Sequence, residues 1–153
     1  MFIGAEDLNA QIRGNVPGAE LLPFIEAACD AVVQACGPIE EDDITERVRT
    51  GSGVGVLRYP AQSVTSGATL LDGPAGLVEG VSGDVTYKVG YATPPGWAKT
   101  AAVIIAEHLW QTRRGAGAAG RRAVDMSPVA GIGYLVPNQA AALMQPHLLP
   151  ARP

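Results

Sequence analysis

A chain of 153 residues suits one domain built on one core, so a single domain over 1–153 is expected. Its net charge of −4 argues against a generally basic nucleic-acid binder, and its apolar runs are too short to span a membrane. The 19 Gly and 12 Pro imply many loops, and with only two Phe, two Trp and four Tyr the core must rest on Ala, Val, Leu and Ile.

The opening MFIGAEDLNAQ lacks a basic stretch followed by an apolar run, so no signal peptide is expected and the cytoplasm is the expected compartment. Ala5–Ile12 reads as a short helix, with Leu8 and Ile12 four apart, ending at Gly14-Asn15. A stronger helix is predicted over Ala19–Cys36. Leu21, Ile25, Ala28, Cys29, Val32 and Cys36 form one stripe at helical period, and Gly37-Pro38 ends it. Pro23 is expected inside the first turn, where amide groups lack intrahelical partners anyway. Cys29 and Cys36 share a face but stand two turns, about 10.5 Å, apart along the axis. A disulfide needs Cα atoms within about 7 Å, so the two cannot pair with each other.

Pro38–Asp43 reads as an acidic loop. From Ile44 the period becomes two, with Ile44, Glu46, Val48 and Thr50 on one face and Thr45, Arg47 and Arg49 on the other. Gly51-Ser52-Gly53 breaks the run as a hairpin turn, Val54–Tyr59 returns, and Ala68–Leu71 offers a brief strand. Gly73–Gly83 is turn-rich. Asp84–Tyr91 is the clearest strand, with Val85, Tyr87, Val89 and Tyr91 on one side.

Thr93-Pro94-Pro95 introduces a second strong helix, Pro95–Arg113. Trp97, Ala101, Ile104, Ile105, His108 and Leu109 give it a wide apolar surface, enough for two neighbours such as the sheet and the first strong helix. Beyond Arg114 the chain loosens into a Gly/Arg-rich loop, about 114–131, expected to be mobile. Ile132–Val136 is a candidate strand, Asn138–Met144 a last short helix, and 146–153 a Pro-rich tail. The whole predicts an α-rich α+β fold: a small helical bundle, two main helices plus short ones, packed with a small antiparallel sheet or hairpin.

No set of residues points to chemistry, and no cofactor, metal or catalytic group is expected. Gly115–Gly120 matches GxGxxG, but it follows a helix rather than a strand and leads into Arg121-Arg122. His108 has Ile104 and Thr112 at its helical neighbours, so no second metal ligand shares its face, and it reads as a core or interface residue. Glu40–Asp43 reads as a solvated acidic surface. The basic cluster is more informative: Arg113, Arg114, Arg121 and Arg122 gather four of the eleven Lys and Arg into ten positions. They form either a solvated helix end, which the helix dipole favours, or a basic loop meeting an acidic partner surface or DNA phosphates.

The succession DVTYKVGYATPPGWAKTAAVIIAEHLWQTRRG, followed by GIGYLVPNQAAALMQPHLLP, resembles the head–tail connector (adaptor) proteins of long-tailed double-stranded DNA bacteriophages. The resemblance runs from about Asp7 to Pro150. Its most specific part is Val85–Arg113, a strand ending in Gly90-Tyr91, a proline turn, and a helix closing on His108-Leu109-Trp110 and Arg113-Arg114. The chain departs from the pattern at Ser63–Gly83, where a longer strand pair is expected, and at His147, where an aromatic is common.

The resemblance implies a structural, non-enzymatic neck protein of the virion, assembled in the host cytoplasm. It implies a ring of about twelve copies below the portal protein. That ring extends the channel for packaged double-stranded DNA and gives a stopper or tail-completion protein its docking platform. Arg113, Arg114, Arg121 and Arg122 would then meet DNA or portal. Two other classes stay open, a soluble binding module for another partner and a small hydrolase or transferase.

Overall fold

The computed structural model describes residues 1–51, 53–113, 125–130 and 132–149. In chain order the elements are α1 (Ala5–Ile12), α2 (Gly18–Cys36), β1 (Asp42–Arg47), β2 (Thr50–Gly51), β3 (Val54–Val56), β4 (Ser63–Ser66), β5 (Thr69–Asp72), β6 (Leu77–Glu79), β7 (Asp84–Val89), α3 (Gly96–Arg113), β8 (Met126–Ser127), β9 (Val136–Pro137) and α4 (Asn138–Met144). A 3-10 turn, Gln145–His147, follows α4. The fold is mixed α+β, with more strand and a less helix-dominated character than the sequence predicts. The chain forms two compact units, one of residues 1–37 with 95–153 and the other of residues 38–94.

In the first unit α3 packs on α1, α2 and α4. Its wide apolar surface is explained by those three helical neighbours. The α2 and α3 faces are rich in small residues: Ala28, Ala31, Ala35, Ala98, Ala101, Ala102 and Ala106 are all buried, and short side chains let helix axes approach closely. Larger groups fill the remaining space. Leu8, Leu21, Ile25, Val32, Ile105 and Met144 are each at most 1% exposed, and Phe24 meets Trp110 edge-on, with centroids 5.4 Å apart and planes at 77°.

The ends of these helices depend on local chemistry. α1 opens with the Gly4 amide donating to Asp7 Oδ2 at 2.8 Å, and closes at Arg13, which takes the left-handed conformation just before the expected Gly14-Asn15 end. The Asn9 side chain then clips the turn, donating to the Val16 carbonyl at 3.0 Å and accepting from its amide at 2.9 Å. In α2, Pro23 is the sixth residue rather than a first-turn residue. The Ala19 carbonyl therefore lacks its i+4 donor, and the first turn is held by an i+3 bond from Glu20 to Pro17, 2.9 Å. Cys29 and Cys36 are both free thiols.

In the second unit β7 is the central strand of an antiparallel sheet ordered β1-β7-β4, and β2-β3-β6-β5 forms a second antiparallel sheet. Both contribute to one core of Val48, Leu57, Ala61, Val78, Val85, Tyr87 and Val89. The alternation read from the sequence is realised in β7, where Val85, Tyr87 and Val89 are fully buried. Tyr87 donates its hydroxyl to Glu46 Oε1 at 2.9 Å, while Thr45 and Thr86 join across the other face at 2.9 Å.

Several strand expectations are corrected. Asp42 and Asp43 belong to β1, paired with Val89 and Lys88, rather than to a loop; β1 is an edge strand, where charge is tolerated. The return strand stops at Val56, not Tyr59, and pairs chiefly with β6. Ser63–Gly83 holds three short strands, two of which, β4 and β6, were not expected. Tyr91 leaves the β7 face after Gly90, whose φ is +78°, and is 43% exposed. A side chain at Gly90 would run into the Glu40 carbonyl, so glycine is required there. The late strand is Val136–Pro137 alone, paired with Met126–Ser127, whereas Ile132–Leu135 is not strand.

Candidate functional site

Of the four arginines singled out from the sequence, Arg114, Arg121 and Arg122 lie outside the described residues, as does the GxGxxG match. Arg113 is the last residue of α3, with its guanidinium 5.5 Å from the centre of the Phe24 ring. The cation lies over a ring that Trp110 also meets, edge-on. Arg113, Trp110, Pro23, Ala19 and Glu20 border an open recess of about 550 Å³. The cation–π contact fixes the head of Arg113 at the exit of α3, where the helix dipole favours positive charge.

A second open groove, of about 340 Å³, runs beside α3. Ile104, Glu107, His108 and Gln111 supply its α3 wall, Gln11 of α1 closes one side, and Asp125 and Asn138 lie on the other. Glu107 is held there by two side-chain amides. One carboxylate oxygen accepts from Gln11 Nε2 at 2.9 Å and the other from Gln111 Nε2 at 2.8 Å. Across the groove Asn138 donates its amide to the Asp125 carbonyl at 2.8 Å, and its side-chain Oδ1 meets Ser127 Oγ at 2.6 Å. His108 is half-buried on this wall, so it is not a core residue.

The sequence singled out none of these residues except His108. Glu107 and Gln111 are four apart on one helix, a legible pair. Gln11 arrives from 96 positions away and leaves no local signal.

The remaining reactive groups are quiet. Burial pushes the Cys36 thiol up to about 11, and its sulfur lies 3.9 Å from the Met144 carbonyl. Burial also raises Cys29, partly offset by hydrogen bonding to the Phe2 and Ile3 backbone. Both thiols are protonated at neutral pH, the unreactive form. The acidic run Glu40–Asp43 is exposed throughout, with Glu41 reaching Lys88 at 3.5 Å. Among the described residues no three His, Cys, Asp or Glu side chains are placed to hold a metal ion. No helix among them is long and apolar enough to cross a membrane. No protein-family model matches the chain, and no curated protein does.

Proposed function

We propose that the protein is a structural neck component of a long-tailed bacteriophage, a ring-forming adaptor seated below the portal. The observation that carries this reading is the strand–turn–helix succession on which the sequence resemblance rests. Strand β7 ends at Val89, Gly90 turns the chain at positive φ, and α3 runs from Gly96 to Arg113. Helices and antiparallel sheets in one chain support the mixed α+β character that the resemblance implies. A subunit of this size cannot surround a DNA duplex alone, so the role requires a closed ring built from heterologous contacts.

In this reading the ring continues the DNA channel, non-specifically, and its far side receives the stopper or tail-completion protein. Arg113, Arg114, Arg121 and Arg122 supply contacts to phosphate or portal. The free protein is a monomer or weak oligomer, and the portal templates the ring. The test is electron microscopy of the chain mixed with the portal protein encoded in the same genome. A coaxial ring on the portal is the expected result, and a chain that remains dispersed beside intact portals removes the proposal. A stable ring by sedimentation at low micromolar concentration without portal removes the templating step alone.

A further inference from the structure

The groove beside α3 has a chemistry that the neck reading does not use. Among the described residues its charged lining groups are Glu107 and Asp125, both acids. A carboxylate offers about four lone-pair positions. The amides of Gln11 and Gln111 take one on each oxygen of Glu107, which restrains the group while a position on each oxygen stays open. Each glutamine turns its NH₂ to the carboxylate, which leaves its carbonyl oxygen as a further acceptor. The result is a group of acceptors whose described charges are both negative, flanked by the aliphatic Ile104 and the flat imidazole of His108.

We propose that this groove receives an arginine side chain from a partner protein, with the guanidinium forked onto Glu107. The match lies in geometry as well as charge. A guanidinium carries five donors in one plane, bonds a carboxylate in two parallel contacts and stacks against flat groups. A lysine ammonium offers one compact charge and uses only part of the array. The volume, near the lower limit of small-ligand sites, suits one side chain rather than a nucleotide. An anionic ligand meets two carboxylates and is repelled. The clamping of Glu107 by two amides means that little conformational entropy is lost on binding.

The test uses the full chain, isotope-labelled, titrated by NMR with a short capped peptide carrying one arginine and with its lysine and citrulline counterparts. The arginine peptide is expected to move the amide signals of residues 104–111, saturating in the millimolar range. Citrulline keeps the shape but loses the charge, and should bind about tenfold more weakly, the weight of a charge-assisted hydrogen bond. Glu107→Gln should produce a similar loss with the rest of the spectrum unchanged, and Asp125→Asn, outside the Gln11–Glu107–Gln111 clamp, provides a second variant. Equal binding of arginine and citrulline, equal binding of lysine, or normal binding in both variants would falsify the proposal. So would movement of the same signals with protein concentration alone, which would make a second copy the occupant, or no movement at saturating peptide.

Discussion

The indole of Trp97 and the imidazole of His147 lie stacked, centroids 4.0 Å apart and planes within 7° of parallel. Trp97 stands in the first turn of α3, and His147 ends the 3-10 turn after α4. The Leu149 amide then donates to the Ala35 carbonyl at 2.9 Å, tying the same segment to the end of α2. His147→Ala should lower stability by about 1 kcal/mol, the worth of such a ring pair. It should also move the Trp97 emission to the red as water reaches the indole. Chemical denaturation followed by tryptophan fluorescence reads both, and an unchanged midpoint and spectrum would show the stack to be idle.

Ile105 is 1% exposed on the face of α3 that the other helices cover. Ile105→Asp buries a charge with no counter-ion and should cost several kcal/mol, about 3 or more. Loss of the helical signal at temperatures where the parent is folded is the expected outcome by circular dichroism.

The sheet unit has an alkaline limit. Burial, and then the neighbouring Glu46 carboxylate, drive the Tyr87 hydroxyl well above the ordinary tyrosine range. Burial likewise raises Cys36 to about 11 in the helical unit. For both groups the folded state holds its proton more tightly than the unfolded state. Their contribution is complete below the unfolded values, near 9 for cysteine and 10 for tyrosine, and is lost as pH rises above them. Urea midpoints should therefore fall from about pH 9 upward. Tyr87→Phe should remove the tyrosine share of that fall while costing about 1 kcal/mol at neutral pH through the lost bond to Glu46. A Phe variant with the full alkaline slope would show that Tyr87 does not set it.

Gly90→Ala should destabilise the sheet unit by about 1–3 kcal/mol, because it combines positive φ with a clash against the Glu40 carbonyl. Gly80→Ala, also at positive φ but with open space around the added methyl, should cost less. Comparing the two by thermal melting separates the clash from the backbone strain.

These contrasts show where the sequence is readable. The helices came through almost to the residue, since Leu21, Ile25, Ala28 and Val32 repeat the helical period over many turns and Asn138–Met144 lies between Pro137 and Pro146. Short strands leave too little pattern. Leu77–Glu79 shows one alternation among glycines, and only its antiparallel partners, β3 and β5, make it a strand. Tyr91 continued the β7 alternation in sequence, but Gly90 turns the chain one residue earlier. The groove was the least legible feature, because Gln11 meets Glu107, and Asp125 joins the lining, only through tertiary packing. Arg113 was found as a charge; its seat on Phe24 was not, because the two residues belong to different helices.

The amide of Tyr91 donates to the carbonyl of Ile39 at 3.2 Å, so residues 38–94 enter and leave at one place and are complete within themselves. On the ribosome this has an order attached. The sheet unit can close as soon as residue 94 has cleared the exit, whereas α1 and α2 have no α3 to pack on until residue 113 is free. The segment made first is thus the one that finishes late, and α2 must wait for α3 while the sheets form. The interval in which a nascent chain is most exposed to aggregation or chaperone capture is set by the span between the two helices, and shortening the sheet loops would shorten it.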